Sequence, residues 1–351
     1  MRRRPFLAAP LLATLSPGLR AALAPRPLVF PRDYGAHPDL RTEWWYVTGY
    51  GQAGGREFGF QLTFFRSRVD AAQSMSSKFA ARQLVFAHAA VTDVEGKRLW
   101  HDQRMAREGF DIARVSEKDT DLRLRDWTLV RAADGSYAAR LPAGEFTLDL
   151  RFTPTQPPLL QGTQGLSRKG PDPEQASYYY SVPQLAAAGA ITLQGKRFDV
   201  RGKAWLDHEW SEALLHPDAV GWDWIGMNLD DGSALTAFQL RRQDGSALWD
   251  GGSFRTANGT TYIASHGENR FSVQRRWTSP SSRATYPVEW IVQTPADFYT
   301  VRAVVDAQEL DSRGSTGAIY WEGLSDLLDS NGKRVGRGYL EMTGYANPLR
   351  L

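Results

Sequence analysis

The chain has no cysteine. Disulfide staples, thiolate metal sites and cysteine nucleophiles are excluded together, so stability has to come from the core. Histidine is sparse: His37, His88, His101, His208, His216 and His266 are dispersed, with no His-x-His or His-Glu-x-x-His. No metal and no other cofactor is expected from such a pattern. No glycine-rich loop leads into a helix, which argues against nucleotide binding. Gly165-Leu166-Ser167-Arg168-Lys169-Gly170 is not a Gly-x-Ser-x-Gly elbow and lies in a proline-rich loop, so no serine nucleophile is visible. Excess charge is small, 42 basic against 39 acidic residues, and gives no footprint for nucleic acid. The N-terminal apolar stretch is short, is broken by Pro10 and Pro17, and cannot span a bilayer.

Aromatic residues are abundant: 12 Trp, 13 Tyr and 16 Phe in 351 residues. Flat side chains at this density favour strands and can line a pocket for an apolar ligand. After residue 27 the pattern is short alternating apolar segments, such as Trp44 to Tyr50, Glu57 to Arg66, Leu84 to Val94 and Gly221 to Leu229. Turns such as Ala53-Gly54-Gly55, Asp231-Gly232 and Asn331-Gly332 separate them. Many short strands with hairpin turns predict an all-β barrel or sandwich. At the start, Arg2, Arg3 and Arg4 precede Pro5-Phe6-Leu7 and a modest apolar run, and Ala22-Leu23-Ala24 offers a cleavage pattern. Residues 1–24 read as an export signal, which also fits a twin-arginine leader, with a disordered arm as the alternative. A periplasmic or secreted location is expected.

The stretch Thr153 to Ala176 carries five prolines and reads as a loop unable to hold a ladder. A domain boundary is expected just beyond it, giving residues 27–186 and 187–351. An internal repeat supports two units. Trp44 and Trp222 are 178 positions apart, as are Tyr46 and Trp224, Gly54 and Gly232, and the triplets Phe60-Gln61-Leu62 and Phe238-Gln239-Leu240.

Several blocks resemble the AttH and carotenoid 1,2-hydratase family. They include Thr42-Glu43-Trp44-Trp45-Tyr46-Val47-Thr48-Gly49, Ser177-Tyr178-Tyr179-Tyr180-Ser181 and Gly202-Lys203-Ala204-Trp205-Leu206-Asp207-His208-Glu209-Trp210. Gly221-Trp222-Asp223-Trp224, Tyr320-Trp321-Glu322-Gly323 and Gly338-Tyr339-Leu340-Glu341-Met342-Thr343 extend the match toward the C-terminus. The resemblance implies two lipocalin-like antiparallel β-barrel domains packed side by side. It also implies export, action on long apolar or polycyclic molecules, and in some relatives a neighbouring ABC-type permease as partner. In the hydratases a His-x-Trp pair like His208 and Trp210 lies in the proposed site. Their acid follows a Tyr by two residues, and Thr236 to Arg241 here has neither, leaving Asp223 as the nearest substitute.

Asp207-His208-Glu209-Trp210 is the strongest local candidate for chemistry. On a strand, Asp207 and Glu209 share one face and His208 and Trp210 the other. Hydration of a double bond needs a proton donor in an apolar pocket, where burial raises a carboxyl pKa, and aromatic faces that tolerate a cation. Asp207, His208 and Asp223 are the candidate donors. Trp44, Trp45, Gln61, Tyr179, Trp210, Trp222, Trp224 and Gln239 are the candidate ligand contacts. The bland alternative makes Asp207 and Glu209 partners of Arg66 or Arg241 in buried ion pairs, and Glu43 is expected to meet Arg66.

Three functions follow: a carrier for an apolar lipid, terpenoid or polyene-like molecule, a hydratase or isomerase protonating a C=C bond, or a carbohydrate-binding protein. What separates the first two is whether a carboxyl or a histidine points into an apolar pocket.

Overall fold

The computed structural model describes residues 22–349, so all but the last three residues of the expected export signal lie outside the described residues. Among the described residues there is no α-helix, only two 3-10 turns, Arg32–Tyr34 and Asp70–Ala72. The first sheet has thirteen strands. They are Thr42–Ala53 (β1), Arg56–Arg68 (β2), Gln83–Asp93 (β3), Arg98–Arg107 (β4), Ala113–Val115 (β5), Asp121–Leu124 (β6), Trp127–Arg131 (β7), Tyr137–Pro142 (β8), Phe146–Thr153 (β9), Leu159–Leu160 (β10), Leu166–Arg168 (β11), Ala176–Leu193 (β12) and Lys196–Ala213 (β13). The second has ten: Gly221–Leu229 (β14), Ala234–Arg241 (β15), Ala247–Arg255 (β16), Thr261–Ala264 (β17), Arg270–Thr278 (β18), Thr285–Gln293 (β19), Phe298–Ala303 (β20), Glu309–Ser312 (β21), Ala318–Leu328 (β22) and Arg334–Met342 (β23).

The fold is all-β and lipocalin-like, with both sheets antiparallel and the first nearly closed into a barrel. One winding is used twice. In each sheet the opening strand pairs with the second strand on one side and with the last strand on the other, β1 with β2 and β13, β14 with β15 and β23. The repeat differs in register. Trp44 lies opposite Phe65, whereas Trp222 lies opposite Leu240.

The break expected at residue 186 falls inside β12, and the two sheets divide instead between Ala213 and Gly221. The proline-rich stretch is not a linker: its short strands β10 and β11 pair with β12. Pro183 is tolerated because β12 slips register between Val182 and Leu185, with Gln184 at φ 55°. A bulge removes the need for the amide hydrogen that proline lacks.

Alternation decides what each strand buries. Phe58, Phe60, Leu62 and Phe64 of β2, with Trp45 and Val47 of β1, fill the first barrel. Ile225, Met227, Trp321, Leu340 and Met342 fill the second. Outward residues of both sheets meet in a third cluster that includes Tyr46, Trp205, Trp224, Phe238, Leu324 and Tyr339. Gly59 permits the close approach, since a Cβ there would stand 2.8 Å from the Tyr339 hydroxyl. Polar ties flank this seam: Asn228 Nδ2 donates to the Ala204 carbonyl at 3.0 Å, and its Oδ1 accepts from the Gln184 amide at 2.7 Å.

Candidate functional site

A cavity of about 580 Å³ opens between the two sheets, not inside either barrel. Its walls come from β1, β2, β3 and β13 on one side and β14, β15, β22 and β23 on the other. Trp44, Tyr46, Phe65, Phe86, Trp222, Trp224, Phe238 and Leu240 make most of it apolar. The indole of Trp224 stands edge-on to Tyr46 at 5.4 Å and to Trp205 at 6.3 Å.

Five carboxyl groups interrupt this surface: Glu43, which is paired with Arg66, and Asp207, Glu209, Glu322 and Glu341. On β13, Asp207 lies between Tyr46 and Ser181, and Glu209 between Trp44 and Tyr179. On the facing wall Glu322 and Glu341 are direct cross-strand partners. Glu209 has a cation, Lys169 Nζ at 3.0 Å, and the Ser177 hydroxyl also donates to it. Lys169 rises from the proline-rich strap and packs over the rings of Phe238 and Tyr179.

Among the described residues no cation pairs with Asp207, Glu322 or Glu341. Burial pushes the Asp207 carboxyl up to about 7, against hydrogen bonds from Ser181, Tyr179 and Trp205 at 2.6, 2.7 and 2.7 Å. Burial likewise pushes Glu341 up to about 8, and the charges of Asp207 and Glu209 across the cleft add to the rise. Glu322 rises too, from burial and then from Glu341 beside it, and its Oε1 has no hydrogen-bond partner. Carboxyl groups in such surroundings hold their protons to higher pH than exposed ones do, Asp207 into the neutral range. They are then acids facing aromatic walls.

A second polar cluster lies behind β1, in the mouth of the first barrel. Glu43 accepts from Arg66 Nε at 2.8 Å and from the His37 amide at 2.8 Å. It also meets His37 Nδ1 at 2.7 Å and His208 Nε2 at 2.9 Å. Despite burial, these partners hold its carboxyl well below the usual range. His37 stacks on Trp210 with centroids 3.9 Å apart, and His208 stacks on Trp45. His37, Glu43 and His208 offer donor atoms within 4.8 Å of one another, a spacing that could hold a metal. Each of those atoms is already hydrogen-bonded and the Arg66 guanidinium occupies Glu43, which disfavours a second cation. In the second barrel the corresponding place holds Asp223, with Arg241 Nε at 2.9 Å, Gln239 at 2.8 Å and Tyr345 at 2.9 Å.

The AttH-like family profile matches residues 21–345. The chain belongs to the AttH-like family. An AttH candidate from Nitrosomonas europaea is 47% identical, with 93% of this chain and 100% of that chain covered and a TM-score of 0.87. Kievitone hydratase from Nectria haematococca shares the fold at 14% identity and a TM-score of 0.71, covering 91% and 93% of the two chains. The protein CghA with Sch210972 bound is similar at 11% identity and a TM-score of 0.54, covering 87% and 88%. No curated protein matches the sequence.

In this AttH-like protein the three candidate donors part company. Asp207 lines the cavity, whereas His208 turns into the first barrel and Asp223 into the second. Alternation along β13 and β14 is the reason, because neighbours in a strand face opposite sides. Of the expected ligand contacts, Trp44, Tyr179, Trp222 and Trp224 line the cavity, while Trp45, Trp210, Gln61 and Gln239 do not. Gln61 spends its amide on Thr63 and Gln239 on Asp223. Glu43 meets Arg66, but Glu209 pairs with Lys169, and Arg241 pairs with Asp223. Glu322, Glu341, Lys169 and Tyr320 are cavity residues that were not singled out. Their signal was an acid amid strand aromatics, in Tyr320-Trp321-Glu322-Gly323 and Tyr339-Leu340-Glu341.

Proposed function

We propose that the cleft binds an apolar, terpenoid-like or ring-bearing alkene and catalyses its hydration or isomerisation by proton transfer to carbon. The observation that carries this reading is the set of cation-free carboxyls, Asp207, Glu322 and Glu341, on the walls of an aromatic cavity. A protonated carboxyl of this set gives its proton to one alkene carbon, whose π electrons form the new C–H bond. The cation left on the other carbon faces Trp44, Trp222 and Trp224, whose ring quadrupoles stabilise it. Water then adds its oxygen to that carbon and yields a proton to the carboxylate just vacated. For isomerisation the carboxylate instead removes a neighbouring proton. Glu209, held by Lys169 and Ser177, is an acceptor placed to orient the water. Similarity in fold to kievitone hydratase supports the same class of reaction. A carrier would need the aromatic walls but not three cation-free acids, and a sugar site would need more hydrogen-bonding groups than these walls offer.

The test is turnover of a panel of terpenoid and prenylated aromatic alkenes in ¹⁸O-labelled water, read by mass spectrometry. Labelled alcohol is expected from wild type and is lost in Glu322→Gln and Asp207→Asn, each still folded and unfolding cooperatively. Alkenes that bind but are recovered unchanged, with no deuterium taken up from D2O, would leave a carrier.

A further inference from the structure

Beyond the cleft, the first barrel exposes apolar side chains at one rim. Phe79, in the loop joining β2 to β3, is 63% exposed, and Phe110, just after β4, is 49% exposed. Their rings stack at 5.4 Å although water could reach both. Met75 of the same loop and Met105 of β4 are also half exposed. A soluble surface gains nothing from a contiguous apolar group of this kind, which marks a contact face.

Three cations accompany it. The Arg107 guanidinium lies 3.9 Å over Phe110, Lys78 approaches Phe79, and Arg82 reaches back to the Met75 carbonyl. None of the three has an ion-pair partner among the described residues, and Arg107 Nη1 is buried without a hydrogen bond. The nearby acids are largely committed: Asp70 meets Arg68 and Glu108 accepts from the Val115 amide, which leaves Asp111 exposed. Aromatic and thioether groups surrounded by unpaired cations fit the headgroup region of a bilayer that carries negative charge.

We propose that this rim docks the protein on an anionic lipid surface. The placement also serves an apolar ligand, a point that rests on the function proposed above. Phe86, which lines the cavity, lies directly opposite Met105 across β3 and β4. The rim and the cleft therefore share one face of the β3–β4 hairpin.

Flotation of the full chain with vesicles tests the docking alone. Wild type is expected to float with phosphatidylcholine–phosphatidylglycerol vesicles and to remain behind with phosphatidylcholine alone. Each of Phe79→Ser and Phe110→Ser should weaken partitioning about tenfold, and Lys78→Glu with Arg107→Glu should abolish the preference for anionic lipid. Phe298→Ser, on the second barrel, is a control expected to float like wild type. Wild type that fails to float, or phenylalanine variants that float equally well, would overturn the proposal. So would variants whose only change is loss of a dimer in sedimentation, which would assign the rim to a second copy. These readouts need no substrate, so their failure is separable from failure of the hydratase reading.

Discussion

Replacing Asp207 with asparagine separates a buried neutral acid from a buried charge. In the folded chain the Asp207 carboxyl is raised from an ordinary 3.8 to about 7 by burial, whereas in the unfolded chain it titrates near 4. Between those two values the folded state keeps a proton that the unfolded state has given up. Stability must then fall as pH rises, by about 1.4 kcal/mol per pH unit, until the folded carboxyl ionises near pH 7. The accumulated difference is about 4 kcal/mol. Asparagine has nearly the shape of the protonated acid and can still accept from Trp205 or Ser181, but it does not titrate. Urea unfolding at pH 5, 6, 7 and 8 should therefore show the variant gaining steadily on wild type, with the gap levelling off above about pH 7. Parallel stability profiles would mean that Asp207 is ionised in the fold, and the cleft would lack its best-placed acid.

Glu43→Gln leaves Arg66 buried without an anion and should cost about 3–5 kcal/mol at pH 7 by chemical denaturation. Because the folded-state pKa values of Glu43 and Asp33 are lowered, wild type should lose stability as pH falls below about 4, and the Gln variant should lose less. His208→Ala removes the contacts to Glu43 and Tyr180 and should lower stability by roughly 3 kcal/mol. It should also leave ligand retained in native mass spectra, whereas a cleft residue would not. Lys169→Met strips buried Glu209 of its cation and should cost about 3 kcal/mol by urea denaturation at pH 7, with Lys169→Arg recovering most of the loss.

Much of this molecule was legible in one dimension. Period-two alternation alone separates Phe58, Phe60, Leu62 and Phe64 from their neighbours, and it places Asp207 and Glu209 on the face opposite His208 and Trp210. The Glu43 contact with Arg66 followed from the same reading. Residue 186 lies within β12, because prolines that suggest a linker also suit a strap that makes only two short pairings. Pro183 sits at a bulge, a place no local pattern distinguishes from a strand end.

Sequence by itself determined which elements form, which face of each is apolar, and that one winding is used twice. These are local properties, set by side-chain alternation and turn chemistry. Only the tertiary structure decided which outward faces meet. Asp207 became a candidate acid, and His208 did not, because the second sheet closes over one side of β13 and the first barrel over the other. Glu322 and Glu341, paired across the β22–β23 hairpin, joined it when the second sheet packed against the first, and their raised pKa values come from the water that this closure excludes.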